Sequence, residues 1–119
     1  MKLTKNFLSE EFACACCSEE HMEMLFISKL QEARTIAGIP FKINSGYRCK
    51  KHNIEVGGTN TSSHTLGRAA DISAPDSSKR FTILSALLEA GFTRLGIGDA
   101  FIHVDNDASK SPNIIWLYS

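Results

Sequence analysis

The chain has 119 residues, 43% hydrophobic and 22% charged, which suits one soluble domain with a single core that needs neither disulfide nor metal to fold. Thirteen basic residues offset thirteen acidic ones, and no basic stripe is interleaved with aromatics, so nucleic acid is not an expected partner. No run of about 20 apolar residues spans a membrane, and the opening MKLTKNFLSEEF lacks the apolar stretch of a secretory signal, so a monomer made in the cytoplasm is expected.

The first periodic segment is 18–37, where Met22, Leu25, Phe26, Leu30, Ala33 and Ile36 or Ala37 recur at helical spacing. Ser18 reads as its N-cap, and Gly38 followed by Pro40 as its stop. FKINS then alternates, placing Phe41 and Ile43 on the inner face of a short strand. Gly, Asn, Ser and Thr crowd the next stretch, GYRCKKHNIEVGGTNTSSHTLG, which reads as a long loop. Loops of that length inside small domains tend to carry function. AADIS reads as a buried strand ended by Pro75. A second helix is predicted over 76–89, with Phe81, Leu84, Leu87 and Leu88 inward and Gly91 beyond its end. TRLGIG, AFIHVD and NIIWLYS read as three strands of an antiparallel meander. The predicted class is α+β, one domain over 1–119, with helices packed on a mainly antiparallel sheet.

Cys14, Cys16, Cys17 and Cys49 admit three readings: reduced thiols, a disulfide from Cys49 to the CACC cluster, or a structural zinc. Cys14 and Cys17 have zinc-type spacing, whereas Cys49 has no cysteine partner nearby. Among the histidines, His21 reads as a surface residue in the first helical turn and His52 as a hydrogen-bonding loop residue. His64, Asp71 and His103 form a workable metal set, because catalytic zinc takes imidazole nitrogen and carboxylate oxygen from three protein ligands. Alternation in FIHVD puts Phe101, His103 and Asp105 on one face and Ile102 and Val104 on the other. There is no HExxH, G-x-S-x-G or P-loop motif. Trp116 and Tyr118 alternate with Leu117; a groove wall is one use for them, and core packing is the simpler one. Arg68 reads as a solvated side chain.

SSHTLGRAAD contains S-x-H-x-x-G-x-A-x-D as Ser62, His64, Gly67, Ala69 and Asp71, and this resembles the signature of the zinc D-Ala-D-Ala carboxypeptidase and L-alanyl-D-glutamate endopeptidase family. INSGYRCKKHNIEVGG and FIHVD are similar to that family's upstream and downstream motifs, and the resemblance spans nearly the whole chain. It implies a hedgehog-like fold, one Zn2+ held by His64, Asp71 and His103, and hydrolysis of an amide in peptidoglycan stem peptides, as by phage lysis enzymes. It further implies that Arg48 binds substrate oxygen and that Ser62 stands beside the metal, orienting substrate or a ligand. The family's general base usually lies three residues before the last histidine. Ala100 occupies that position here, so Asp99 is the first candidate for the base and Asp105 its rival. A zinc-bearing binding module that has lost hydrolysis is the alternative function.

Overall fold

The computed structural model describes residues 1–59 and 62–118; Asn60 and Thr61 of the long loop and Ser119 of the last predicted strand lie outside the described residues. The described elements are α1 (Met24–Ala37), β1 (Ile43–Ser45), α2 (Lys50–Glu55), β2 (Ala69–Ser73), α3 (Ser77–Glu89), β3 (Arg94–Ile97), β4 (Phe101–Asp105) and β5 (Ile114–Leu117), with short 3-10 helices at Ser9–Phe12 and Ser63–Leu66. The class is α+β. The five strands make one sheet in the order β1-β2-β4-β3-β5.

Strand alternation gives the sheet two chemically distinct faces. Ala70 and Ile72 of β2, Leu95 of β3, and Ile102 and Val104 of β4 point into the core, where Phe26, Ile27, Leu30 and Ala33 of α1 and Ile83, Ala86 and Leu87 of α3 cover them. Phe7, Phe12 and Phe41 close the core at the N-terminal end, with the Phe7 and Phe12 rings packed edge to face. The opposite face carries Asp71, His103, Asp105, Arg94 and Gly96, and it is the face that matters for chemistry. No helix among the described residues is long and apolar enough to cross a membrane.

Several expectations need correction. The last three strands are not a meander: β3 and β4 pair antiparallel, but β5 runs parallel to β3. Both edges of β4 are already taken, by β2 and β3, so the segment after β4 crosses to the free edge of β3. The first helix starts at Met24 rather than at Ser18, with Glu23 as its N-cap. Ser18 instead adopts a left-handed φ of 61° and its N–H closes a turn onto the Cys14 carbonyl, while the Glu23 N–H reaches the Gly67 carbonyl. His21 therefore precedes the helix, though it is exposed as expected. Leu25 and Phe81 face solvent, 76% and 73% exposed. Ile27 and Ile83 are buried in the core, so each buried stripe is rotated slightly from the predicted one. The long loop also contains regular structure, α2 and the Ser63–Leu66 turn. Arg68 is not simply solvated; its Nε pairs with Glu23 at 2.6 Å.

Candidate metal centre

His64 sits in the 3-10 helix Ser63–Leu66, and three local interactions fix it. The Ser62 Oγ accepts the His64 N–H as an N-cap. Gly67 ends the turn in the left-handed region at φ 70°, where a Cβ would also strike the His21 carbonyl at 1.9 Å, so only glycine fits. The Ser63 hydroxyl donates to buried Asp107 at 2.8 Å, tying the turn to the chain beyond β4. Asp71 and His103 meet for a different reason: they are directly opposed residues in the β2–β4 register, where cross-strand side chains stand about 5 Å apart. An irregularity between Ile43 and Ser45 shifts the register of β1 and sets Ser45 opposite Asp71.

These three residues converge at the floor of a cleft of about 360 Å3. One donor atom from each lies within 4.8 Å of the others. His64 Nε2 is 3.4 Å and His103 Nδ1 is 3.0 Å from Asp71 Oδ1. Ligands about 2.0–2.1 Å from a tetrahedral zinc stand roughly 3.3 Å apart, so the spacing fits a single ion. The ring orientations fit as well. His64 Nδ1 lies 2.8 Å from the Gly46 carbonyl, and a carbonyl only accepts. Nδ1 therefore carries the proton, and Nε2 presents its lone pair to the cleft. On His103, Nε2 donates to Asp105 Oδ2 at 2.7 Å, leaving Nδ1 toward Asp71 and His64. Each imidazole is thus steered by an outer partner, as in histidine metal sites.

Without an ion, the carboxylates and imidazoles of the site pair with one another. Burial raises the Asp71 carboxyl, yet in the metal-free site contacts with His103 and His64, which donate to it when their rings are protonated, more than reverse this and hold it well below the usual carboxylate range. Burial lowers the His103 imidazole, while hydrogen bonds to Asp105 and Asp71 override that and raise it. Asp105 is likewise held low: its burial is outweighed by His103, the Asp107 N–H and Arg94.

The other predicted site residues fall in different places. Arg48 lines the cleft, donating from Nε to Ser45 Oγ at 3.1 Å and from Nη2 to Asp71 Oδ2 at 3.4 Å. Ser62 lines it too, as the cap of the His64 turn. Asp105 is nearly enclosed, its carboxylate shared between His103, Arg94 at 2.7 Å and the Asp107 N–H at 3.1 Å. Asp99 is exposed in the β3–β4 turn and does not line the cleft; its carbonyl accepts from Arg80. Trp116 and Tyr118 form a wall of the cleft instead of packing in the core, with the indole 5.5 Å from the His103 ring. Gly96 permits this, since a Cβ there would come within 2.6 Å of both rings.

Sequence reasoning missed Arg94, Lys110 and Asp107. Arg94 precedes Gly96 by two residues on the same strand face, so alternation alone could have placed it with the site. Asp107 follows the strand and carries no periodic signal.

A family model described as Peptidase M15 matches residues 5–105, which includes all three converging side chains. The chain belongs to the peptidase M15 family. The M15 peptidases are zinc-dependent metallopeptidases acting on peptidoglycan-type substrates. In this M15 peptidase domain the matched segment ends at Asp105, so Trp116 and Tyr118 of the cleft wall lie beyond it. No curated protein matches the chain significantly.

Asp107 offers a check on how the M15 site is supported. Burial raises its carboxyl, but hydrogen bonds from Ser109 and Ser63 and the charge of Lys110 bring it down to about 2. A carboxylate depressed in the folded state contributes stability above its unfolded value of about 3.9 and loses it as pH falls through the folded value. Asp107→Ala is expected to cost about 1–3 kcal/mol at neutral pH, from the acceptor lost to buried Ser63. The difference from wild type should shrink between about pH 4 and pH 2, as urea titrations at several pH values would show.

Proposed function

We propose that this protein is a zinc metallopeptidase that hydrolyses an amide bond in peptidoglycan stem peptides, with His64 Nε2, Asp71 Oδ1 and His103 Nδ1 as the zinc ligands. The observation that carries this reading is the convergence of those three atoms beside Arg48 in an open cleft. Zinc bound there supplies Lewis acidity toward a carbonyl and a water made nucleophilic near neutral pH.

The chain's own residues supply the rest. Arg48 reaches Asp71 with one guanidinium nitrogen, and its remaining donors suit a substrate carboxylate or the negative charge that develops on a peptide oxygen. Trp116 and Tyr118 give one wall a flat aromatic surface against which a short peptide can lie. Ser62 caps the His64 turn and lines the cleft, where its hydroxyl is placed to orient substrate, while Ser63 ties the turn to Asp107. Asp105 is a positioning residue, keeping the His103 ring turned so that Nδ1 faces Asp71, where it would hold a zinc ion.

One observation favours a second reading, a zinc-bearing binding module without hydrolysis. Among the described residues, Asp71 and Asp105 are the only carboxylates lining the cleft, and both are already engaged. Digestion of purified peptidoglycan by the zinc-loaded protein, with and without a chelator, separates the two. Chelator-sensitive release of muropeptides supports the peptidase, and the product masses name the bond cut. Stoichiometric zinc with no cleavage supports the module.

A further inference from the structure

At Cys49, the residue that follows Arg48, four cysteines come together. Three belong to the CACC segment that follows the first 3-10 helix, and the fourth, Cys49, is the N-cap of α2. Their sulfur atoms all lie within 4.8 Å of one another. The Cys14–Cys16 separation is 3.6 Å, Cys14–Cys49 is 3.7 Å and Cys16–Cys49 is 3.2 Å. Four sulfurs at about 2.3 Å from a common tetrahedral centre stand roughly 3.8 Å apart, so two of the six edges are already near that length and a third is shorter. A disulfide at about 2.05 Å would join two sulfurs and leave two others crowded beside it with no use. All four cysteines are free thiols in the structure.

The backbone around the cluster is arranged for thiolates. The Cys49 N–H points at Cys14 Sγ, and the His52 N–H points at Cys49 Sγ, both at 3.4 Å. The chain turns back tightly after the cluster: the Ser18 N–H closes onto the Cys14 carbonyl at 2.8 Å and the Cys14 N–H onto the Glu19 carbonyl at 2.7 Å. Ser18 takes a left-handed φ of 61° to do so. Lys50 and Lys51 open the helix that Cys49 caps and add positive charge beside it.

We propose that Cys14, Cys16, Cys17 and Cys49 bind a second metal ion, a structural zinc with four thiolate ligands, separate from the cleft. On binding, the four thiols release their protons to solvent and each sulfur forms one bond to the ion, which stays divalent throughout. Four protein ligands leave no open position, so this ion takes no part in catalysis. Its effect is mechanical. It clamps the N-terminal segment to the residue that directly follows Arg48 and so fixes the base of the loop that presents the guanidinium to the cleft. Cys16 also lies near His52 and Glu55 in a second possible ligand group, but that group uses only one of the four sulfurs.

The test is metal content after zinc loading under reducing conditions, and it does not depend on the cleft being catalytic. Wild type is expected to hold two zinc ions per chain and His64→Ala/His103→Ala one. Cobalt loading of that double variant should give the intense thiolate-to-metal absorption of a tetrahedral thiolate site. In wild type, titrating the thiols with a mercurial should release one of the two zinc equivalents, a measurement that needs no variant to fold. Cys17→Ser should weaken the second site, and His52→Ala should leave it unchanged. The proposal is overturned if the histidine double variant holds no metal while all four thiols react freely. It fails equally if the intact mass is two hydrogens light, which marks a disulfide, or if His52→Ala rather than Cys17→Ser empties the site.

Discussion

Asp71→Ala is expected to abolish metal uptake in the cleft and to bring amide hydrolysis down to background, while the domain still folds. Asp71 is the hub of the cluster: His64 Nε2 and His103 Nδ1 approach its Oδ1, and Arg48 approaches its Oδ2. Removing it deletes a ligand of the proposed zinc site, lets two imidazoles face each other unbridged and leaves Arg48 without its charged partner. Changes to partners behind metal ligands usually cost 10–100-fold in affinity, and loss of the ligand itself should exceed that. Zinc titration in competition with a chelator measures it directly. Folding should survive because Asp71 points away from the core, whose β2 contribution comes from Ala70 and Ile72. A variant that keeps tight zinc at the cleft and cleaves peptidoglycan would remove Asp71 from the ligand set.

The parts of this site that were legible in sequence are those set by short-range rules. Two-residue alternation in FIHVD separates His103 and Asp105 from Ile102 and Val104, and the structure has the latter pair in the core. The α+β class followed from the order of periodic segments. What remained hidden depends on long-range geometry. Parity placed Asp105 on the histidine's face, but only the ring orientation of His103 shows that the carboxylate is engaged by the imidazole's outer nitrogen. The α2 helix was missed because KKHNIE lies between Gly- and Ser-rich stretches and is capped by a cysteine sulfur, which no ordinary N-cap preference flags. The parallel β5 was missed because local sequence does not tell which strand edges are already occupied. Trp116 and Tyr118 reached the cleft only because β5 sits next to the small Gly96.

Asp105→Asn and Asp99→Asn together decide how the carboxylates divide their work. Asparagine at 105 still offers an oxygen to His103 Nε2, but it loses the charge that raises the imidazole and the ion pair with Arg94. A positioning role predicts zinc affinity lower by about 10–100-fold, with most of the turnover regained once zinc is saturating. A general base predicts the reverse: affinity little changed, and kcat down by about 10²–10⁴ even with the site full. Asp99→Asn is expected to leave both quantities within a few-fold of wild type, since Asp99 is exposed in its turn and engages Arg80 only through its backbone carbonyl. Should Asp99→Asn instead lose kcat at saturating zinc, the β3–β4 turn must swing over the cleft during the reaction. That outcome would assign proton transfer to Asp99. The pair of kcat values at full zinc occupancy separates the outcomes, because metal binding and proton transfer respond to different atoms of the site.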